Sequence, residues 1–310
     1  MHVTLQRARQ HSRGRFLTGA ALNFVGASLL LSLATSHAPA AQRADADPLI
    51  TGSQPATNVN VPLELRIEIT RPGLEGIRLA GRLSEDGGLI TKPVTWKLIR
   101  TLGNGAQGGE PVYSDARPVA DIPLEPGNYR IEARYGSVTA VKPVVLAKGQ
   151  HLGLTFVFNV GGLRTLSTLG NEPLPRKVRA VHRAYAVNGT SAGRLIATSD
   201  RQGGLMRLGA GTYRLESEIE PGNTVTHTEV IIKPGILTSL NLDHEAGIAI
   251  VDAPDGVPWN VNSREKNWRR SGIGPSMLTL APGSYTYISA DQTRTIIIVA
   301  GKRTTVRAGD

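Results

Sequence analysis

Residues 124–136 read LEPGNYRIEARYG, residues 208–220 read LGAGTYRLESEIE and residues 280–292 read LAPGSYTYISADQ. A chain that writes one turn-and-strand phrase three times is built from repeated supersecondary units. The phrase itself has narrow physical content. Leu124, Leu208 and Leu280 end an inward-facing strand, and proline or alanine followed by glycine supplies a tight reversal. Tyr129, Tyr213 and Tyr285 then open the next strand. Period two places Tyr129, Ile131 and Ala133 on one face, matched by Tyr213, Leu215 and Ser217 and by Tyr285, Tyr287 and Ser289. The tyrosines are expected in the core, each hydroxyl tethered near the corner.

Around the phrase a longer frame repeats. Each copy opens with a glycine-led strand, GIRLAG from Gly76, GLRTLS from Gly162 and GIAIVD from Gly247, spacings of 86 and 85 residues. A second strand follows, VTWKLIR, VRAVHRAY or VPWNVNS, and a hairpin return closes at Gly149, Gly235 or Gly301. The chain has 35 glycines and 19 prolines in 310 residues and lacks long helix-forming runs, so short strands and turns dominate. The expected fold is all-β: three tandem small antiparallel Ig-like sandwiches over residues 61–160, 161–245 and 246–310. Ahead of the first repeat, VPLELRIEIT sets Leu63, Leu65, Ile67 and Ile69 against Glu64, Arg66 and Glu68, which predicts a half-buried strand.

Residues 1–40 stand apart. Arg7, Arg9, Arg13 and Arg15 precede an uncharged apolar stretch at 16–34, and Ala38 and Ala40 fit a cleavage site. This is the pattern of a secretory signal peptide. Residues 41–60 are polar and aperiodic, a flexible lead-in. Beyond the leader no apolar run is long enough to span a bilayer, so no membrane span is expected after cleavage. The chain has no cysteine, which excludes disulfides, lipoprotein attachment and thiolate metal sites. Export without disulfides suits a periplasmic or secreted bacterial protein. The four leader arginines account for four of the +10 net charge, and the remaining +6 falls short of a nucleic-acid footprint.

The L-x-P-G-x-Y turn, its alternating strand, the V-x-V return and the closing glycine resemble prealbumin-like and PEGA-like (Ig-like) β-sandwich repeats of bacterial envelope proteins. They are similar to the tandem repeats that accompany von Willebrand A-type domains in alphaproteobacteria. The resemblance covers residues 76–310 and implies a non-catalytic module for adhesion, assembly or carbohydrate contact. It brings no catalytic residues. The D-x-S-x-S metal motif of von Willebrand A-type domains is missing.

Searches for chemistry return little. GNGAQG at 103–108 matches G-x-G-x-x-G, but the proline-bearing GEPVYSDARPV that follows cannot start the helix a dinucleotide needs. SREK at 263–266 fits S-x-x-K without the S-D-N and K-T-G partners. His227 and His244 read as surface or satisfied residues; Asp243, His244 and Glu245 are adjacent and cannot converge on one metal. No catalytic residue, metal or cofactor is expected. Two basic stretches remain: Arg176, Lys177, Arg179 and Arg183, with Arg179, Arg183 and Tyr185 on one strand face, and Arg264, Lys266, Arg269 and Arg270 around Trp268. An indole among guanidiniums could form a platform for a sugar or an anionic polymer, and solvated edge-strand charge would explain the same residues. The partner expected is an envelope polysaccharide or another protein; a structural spacer or an accessory subunit of an envelope enzyme is the alternative.

Overall fold

The computed structural model describes residues 57–58, 61–102, 109–189, 192–289 and 292–307. The leader at 1–40, most of the lead-in and the GNGAQG segment lie outside the described residues. No α-helix occurs among those described.

The first stretch of chain lays down β1 (Thr57–Asn58), β2 (Leu63–Ile69), β3 (Gly76–Arg82), β4 (Val94–Thr101), β5 (Tyr113–Arg117), β6 (Ala120–Pro123), β7 (Gly127–Tyr135), β8 (Val138–Leu146) and β9 (Gln150–Val157). They form sheets ordered β1-β8-β7-β4-β5 and β2-β9-β3-β6. The next adds β10 (Val160–Leu169), β11 (Glu172–Pro173), β12 (Arg179–Ala186), β13 (Leu195–Ser199), β14 (Leu205–Gly209), β15 (Gly211–Glu220), β16 (Thr224–Ile232) and β17 (Leu237–His244). Its sheets are β11-β10-β14, with β17 also on β10, and β13-β12-β15-β16. The last comprises β18 (Gly247–Asp252), β19 (Pro258–Ser263), β20 (Trp268–Ile273), β21 (Ser276–Leu280), β22 (Gly283–Ser289), β23 (Gln292–Ile298) and β24 (Arg303–Arg307), in sheets β21-β18-β24 and β20-β19-β22-β23. Among the described residues the strands form six sheets, two along each stretch of chain.

Most neighbours are antiparallel, as hairpins require. Besides the short β1 with β8, the glycine-led strand of each repeat runs parallel to the strand after its closing glycine: β3 with β9, β10 with β17 and β18 with β24. Those pairings set the frame of the repeat. Gly76 lies opposite His151, Gly162 opposite Leu237 and Ile248 opposite Arg303, each partner two residues past the closing glycine. The period is therefore 86 residues at both steps, and Gly247 corresponds to Gly161 rather than to Gly162 as the spacing of 85 suggested. A Cβ on Gly161 or Gly247 would sit closer than 3.0 Å to a carbonyl oxygen of the return hairpin. The first unit carries Glu75 there. Its carboxylate accepts the Gly149 N–H at 2.9 Å, the role that the Val160 and Ala246 carbonyls play for Gly235 (2.9 Å) and Gly301 (2.8 Å).

The turn phrase folds as its pattern requires. All nine inward residues are buried, from Tyr129, Ile131 and Ala133 through Tyr285, Tyr287 and Ser289. Each tyrosine hydroxyl donates to the carbonyl four residues back: Tyr129 to Glu125 (2.6 Å), Tyr213 to Gly209 (2.9 Å) and Tyr285 to Ala281 (2.8 Å). Trp96 and Trp259 occupy matching core positions, and each indole N–H donates to a main-chain carbonyl at 2.8 Å. Two expectations fail. β2 pairs with β9 at the sheet edge and leaves Leu65 and Ile67 57% and 53% exposed, so beyond Leu63, which packs on the core, its apolar face is not covered by the opposite sheet. The lead-in is also not wholly irregular, since Thr57 and Asn58 pair with Val138 and Thr139.

Successive sheet pairs are joined by one device used twice. At the first junction the β7–β8 tip, Gly136 and Ser137, meets the end of β14: the Ser137 N–H donates to the Arg207 carbonyl (3.0 Å), and the Ser137 hydroxyl accepts the Gly209 N–H (3.2 Å). At the second, the β15–β16 tip meets β21. The Asn223 N–H donates to the Thr279 carbonyl (3.2 Å), and the Asn223 side-chain oxygen accepts the Ala281 N–H (2.8 Å). The tip glycine is obligatory, because a Cβ on Gly136 or Gly222 would fall closer than 3.0 Å to the Arg207 or Thr279 backbone. The second junction has in addition an apolar cluster of its own, in which Leu169, Val178, Ala180 and Ile219 pack with Ala246 and Ile248.

Candidate functional site

The first basic stretch lies on β12 and the turn before it. Arg176 and Lys177 are exposed in that turn. Strand alternation aligns Arg179, Arg183 and Tyr185 on the outer face, and the antiparallel register brings Glu220 opposite Arg179 and Glu216 opposite Arg183. Arg179 pairs with Glu220 at 2.6 Å, and Arg183 with Glu218 at 2.7 Å and Glu216 at 3.3 Å. Arg214 lies over the Tyr185 ring, 4.9 Å from its centre. This face is a network of compensated charge rather than an open cationic strip. The carboxylates come from β15, 33 to 41 residues from the arginines, and no local pattern foretold them.

The second stretch is the β19–β20 hairpin. Arg264 is exposed and Lys266 half-buried in the turn, and Arg269 and Arg270 are exposed on the edge strand β20. Trp268 is half-buried on the same strand. It packs on the third core and stands edge-on to Tyr285, with ring centres 6.0 Å apart. Both stretches flank the second junction: Glu220, the partner of Arg179, leads into its tip, and the Lys266 stem reaches Gly283, two residues from the Tyr285 hydroxyl that accepts the Asn223 amide (2.9 Å).

The second unit holds a polar cluster that sequence reading missed. His182 pairs across to Ser217 as Trp96 does to Ala133 and Trp259 to Ser289, so histidine fills the tryptophan position. Ser167 Oγ lies 3.0 Å from His182 Nε2 and 2.9 Å from Ser217 Oγ. Ser217 Oγ lies 3.0 Å from His244 Nε2, and Thr226 Oγ1 3.2 Å from His244 Nδ1. Loss of hydration holds both imidazoles below their ordinary range, and His244 is pushed down to about 4, with His182 adding repulsion. A serine beside an imidazole is the start of a nucleophile and base. Here Ser217, His182 and His244 are 0% exposed and closed off from solvent. Superposing VRAVHRAY on VTWKLIR by the tyrosine frame would have flagged the substitution.

An open groove of about 620 Å³ lies at the first L-x-P-G-x-Y turn, lined by Gly73, Glu75, Pro123, Leu124, Glu125 and Lys148. Hydrogen bonds from Gly149 and Gly73 lower the Glu75 carboxyl pKa, so it is an anion here. A second groove follows the outer face of β19 and β20 beside Asn260, Ser271 and Ile273. Among the described residues no group of three or more His, Asp or Glu could hold a metal, and no helix is long and apolar enough to cross a membrane.

No family model matches this chain, and no curated protein matches it. Solved structures do. The TIE protein of Bacillus anthracis is 15% identical over 76% of this chain and 50% of its own, with a TM-score of 0.25. A minor pilin of Streptococcus agalactiae is 14% identical over 55% of this chain and 95% of its own (TM-score 0.30). A streptococcal ancillary pilin is 10% identical over 75% of this chain and 98% of its own (TM-score 0.28). The chain thus spans half the length of the Bacillus anthracis protein.

Proposed function

We propose that the chain is an exported, non-enzymatic scaffold of tandem Ig-like β-sandwiches that presents its surfaces to a partner protein in a bacterial envelope. Its units would be residues 61–160, 161–245 and 246–310, behind a signal peptide at 1–40 and a lead-in at 41–60. The observation that carries this reading is the repeated junction, in which main-chain hydrogen bonds and a glycine contact hold each sandwich on the next in one register. Such a fixed array suits positioning and extended surface recognition. An anionic envelope glycan is the second reading, supported by Arg176, Lys177, Arg264 and Arg270 on exposed turns and an edge strand. A partner protein is favoured because Arg179 and Arg183 already face carboxylates and the Trp268 ring is engaged edge-on with Tyr285.

Cross-linking in the envelope of cells producing the chain tests the first reading, with a discrete protein adduct expected and its absence counting for a passive spacer. Co-sedimentation of the chain from Ala41 onward with peptidoglycan, lipopolysaccharide and acidic polysaccharide across a salt series tests the second. Binding that fades with salt and with Arg269→Ala plus Arg270→Ala would transfer the conclusion to a glycan.

A further inference from the structure

We propose that the groove at Pro123, Leu124 and Glu125 is a seat for the glycine-tipped β-hairpin of a β-sandwich in another protein, docked as the two internal tips dock within this chain. This rests on the partner-protein reading and names the surface and the chemistry of the contact.

The three turn phrases make the positions equivalent. Pro123 faces Gly76 as Arg207 faces Gly162 and Thr279 faces Ile248. Arg207 and Gly209 receive the first tip, and Thr279 and Ala281 the second. Pro123 and Glu125 are the corresponding pair on the first unit. Their burial differs in the sense that an open seat requires: Leu208, Thr279 and Leu280 are 0% exposed beneath their tips, whereas Leu124 is half-buried and Pro123 and Glu125 are exposed. The Glu125 carboxylate turns aside to Arg100, 3.0 Å away.

The internal junctions also state what the occupant must carry. Its tip needs a glycine, because a Cβ there would meet the receiving backbone closer than 3.0 Å. The next residue needs a short side chain ending in an oxygen, as in Ser137 and Asn223. Its N–H would donate to the Pro123 carbonyl, and its side-chain oxygen would accept the Glu125 N–H. The corresponding hairpin of a second copy, between β22 and β23, does not meet these terms. Ser289 pairs with Gln292, so the sequence between β22 and β23 is Ala290-Asp291, with alanine in the glycine's place.

The test titrates the full chain with a backbone-cyclised hairpin of residues 131–142, IEARYGSVTAVK, bearing a photo-cross-linker beside its tip, and with the same peptide carrying Gly136→Ala. The glycine-tipped hairpin is expected to saturate with a Kd of about 1 mM or tighter, to cross-link within residues 123–126 and to bind at least tenfold better than its alanine counterpart. Equal binding by the two peptides, cross-links elsewhere or no saturation overturns the proposal. Slow hydrogen exchange of the Glu125 amide without any peptide would overturn it too, by assigning the seat to the chain's own upstream segment. Cross-links elsewhere would leave the partner-protein reading standing, whereas failure to find any envelope adduct would remove that reading and leave the titration to be judged alone.

Discussion

The hydroxyls of Tyr129, Tyr213 and Tyr285 each close a loop of four residues, so their bonds are local in sequence and could be anticipated from the turn phrase. Tyr213→Phe removes only that bond and leaves the ring in place, which is expected to cost about 1 kcal/mol in urea unfolding. Tyr285→Phe should cost more, since its hydroxyl also meets the Asn223 amide across the second junction. Residues whose partners are distant were not legible in this way. Glu75 sits where the other units have glycine, and its role became visible only with Gly149, 74 residues later, in hydrogen-bonding range. Trp268 offered a platform among charged neighbours in sequence; its neighbour in space is Tyr285.

At the level of strands and tips, the alternating patterns of β7, β15 and β22 placed their buried faces without error, because a core lies on one side of each. β2 shows the same alternation and is exposed, because pattern specifies which residues share a face and not whether anything covers it. The junction tips are the elements most sensitive to a single methyl group. Gly222→Ala forces the second tip off the Thr279 carbonyl, and we expect a loss of 1–3 kcal/mol of the order seen for overpacking, with faster hydrogen exchange at Asn223 and Ala281. Gly88→Ala, where nothing lies within 4 Å, should change neither and serves as the control.

For the whole molecule the buried histidines make stability depend on pH. In the unfolded chain His182 and His244 titrate near 6.5, while in the fold both are held lower and His244 falls to about 4. Above pH 6.5 neither state takes up these protons and the contribution is fully present. As pH falls from 6.5 toward 4 the unfolded chain binds protons that the fold refuses, so stability declines, with His244 alone contributing on the order of 3 kcal/mol across the window. Urea midpoints measured from pH 7.5 to 4.5 should be flat and then fall, and His244→Gln should blunt the fall. What the linear sequence decided was periodic or local: strand faces, the glycine and proline turns, the tethered tyrosines and a recurrence close to 86 residues, all set by spacing along one chain segment. What only the tertiary structure decided was every outcome that depends on approach of distant strands. Carboxylates of β15 neutralise the arginines of β12, the core of the second unit closes over His182 and His244, and glycine tips clasp the end of the following unit. The physical reason is that charge compensation, desolvation and steric exclusion act between neighbours in space, and the register that makes those neighbours is set by packing.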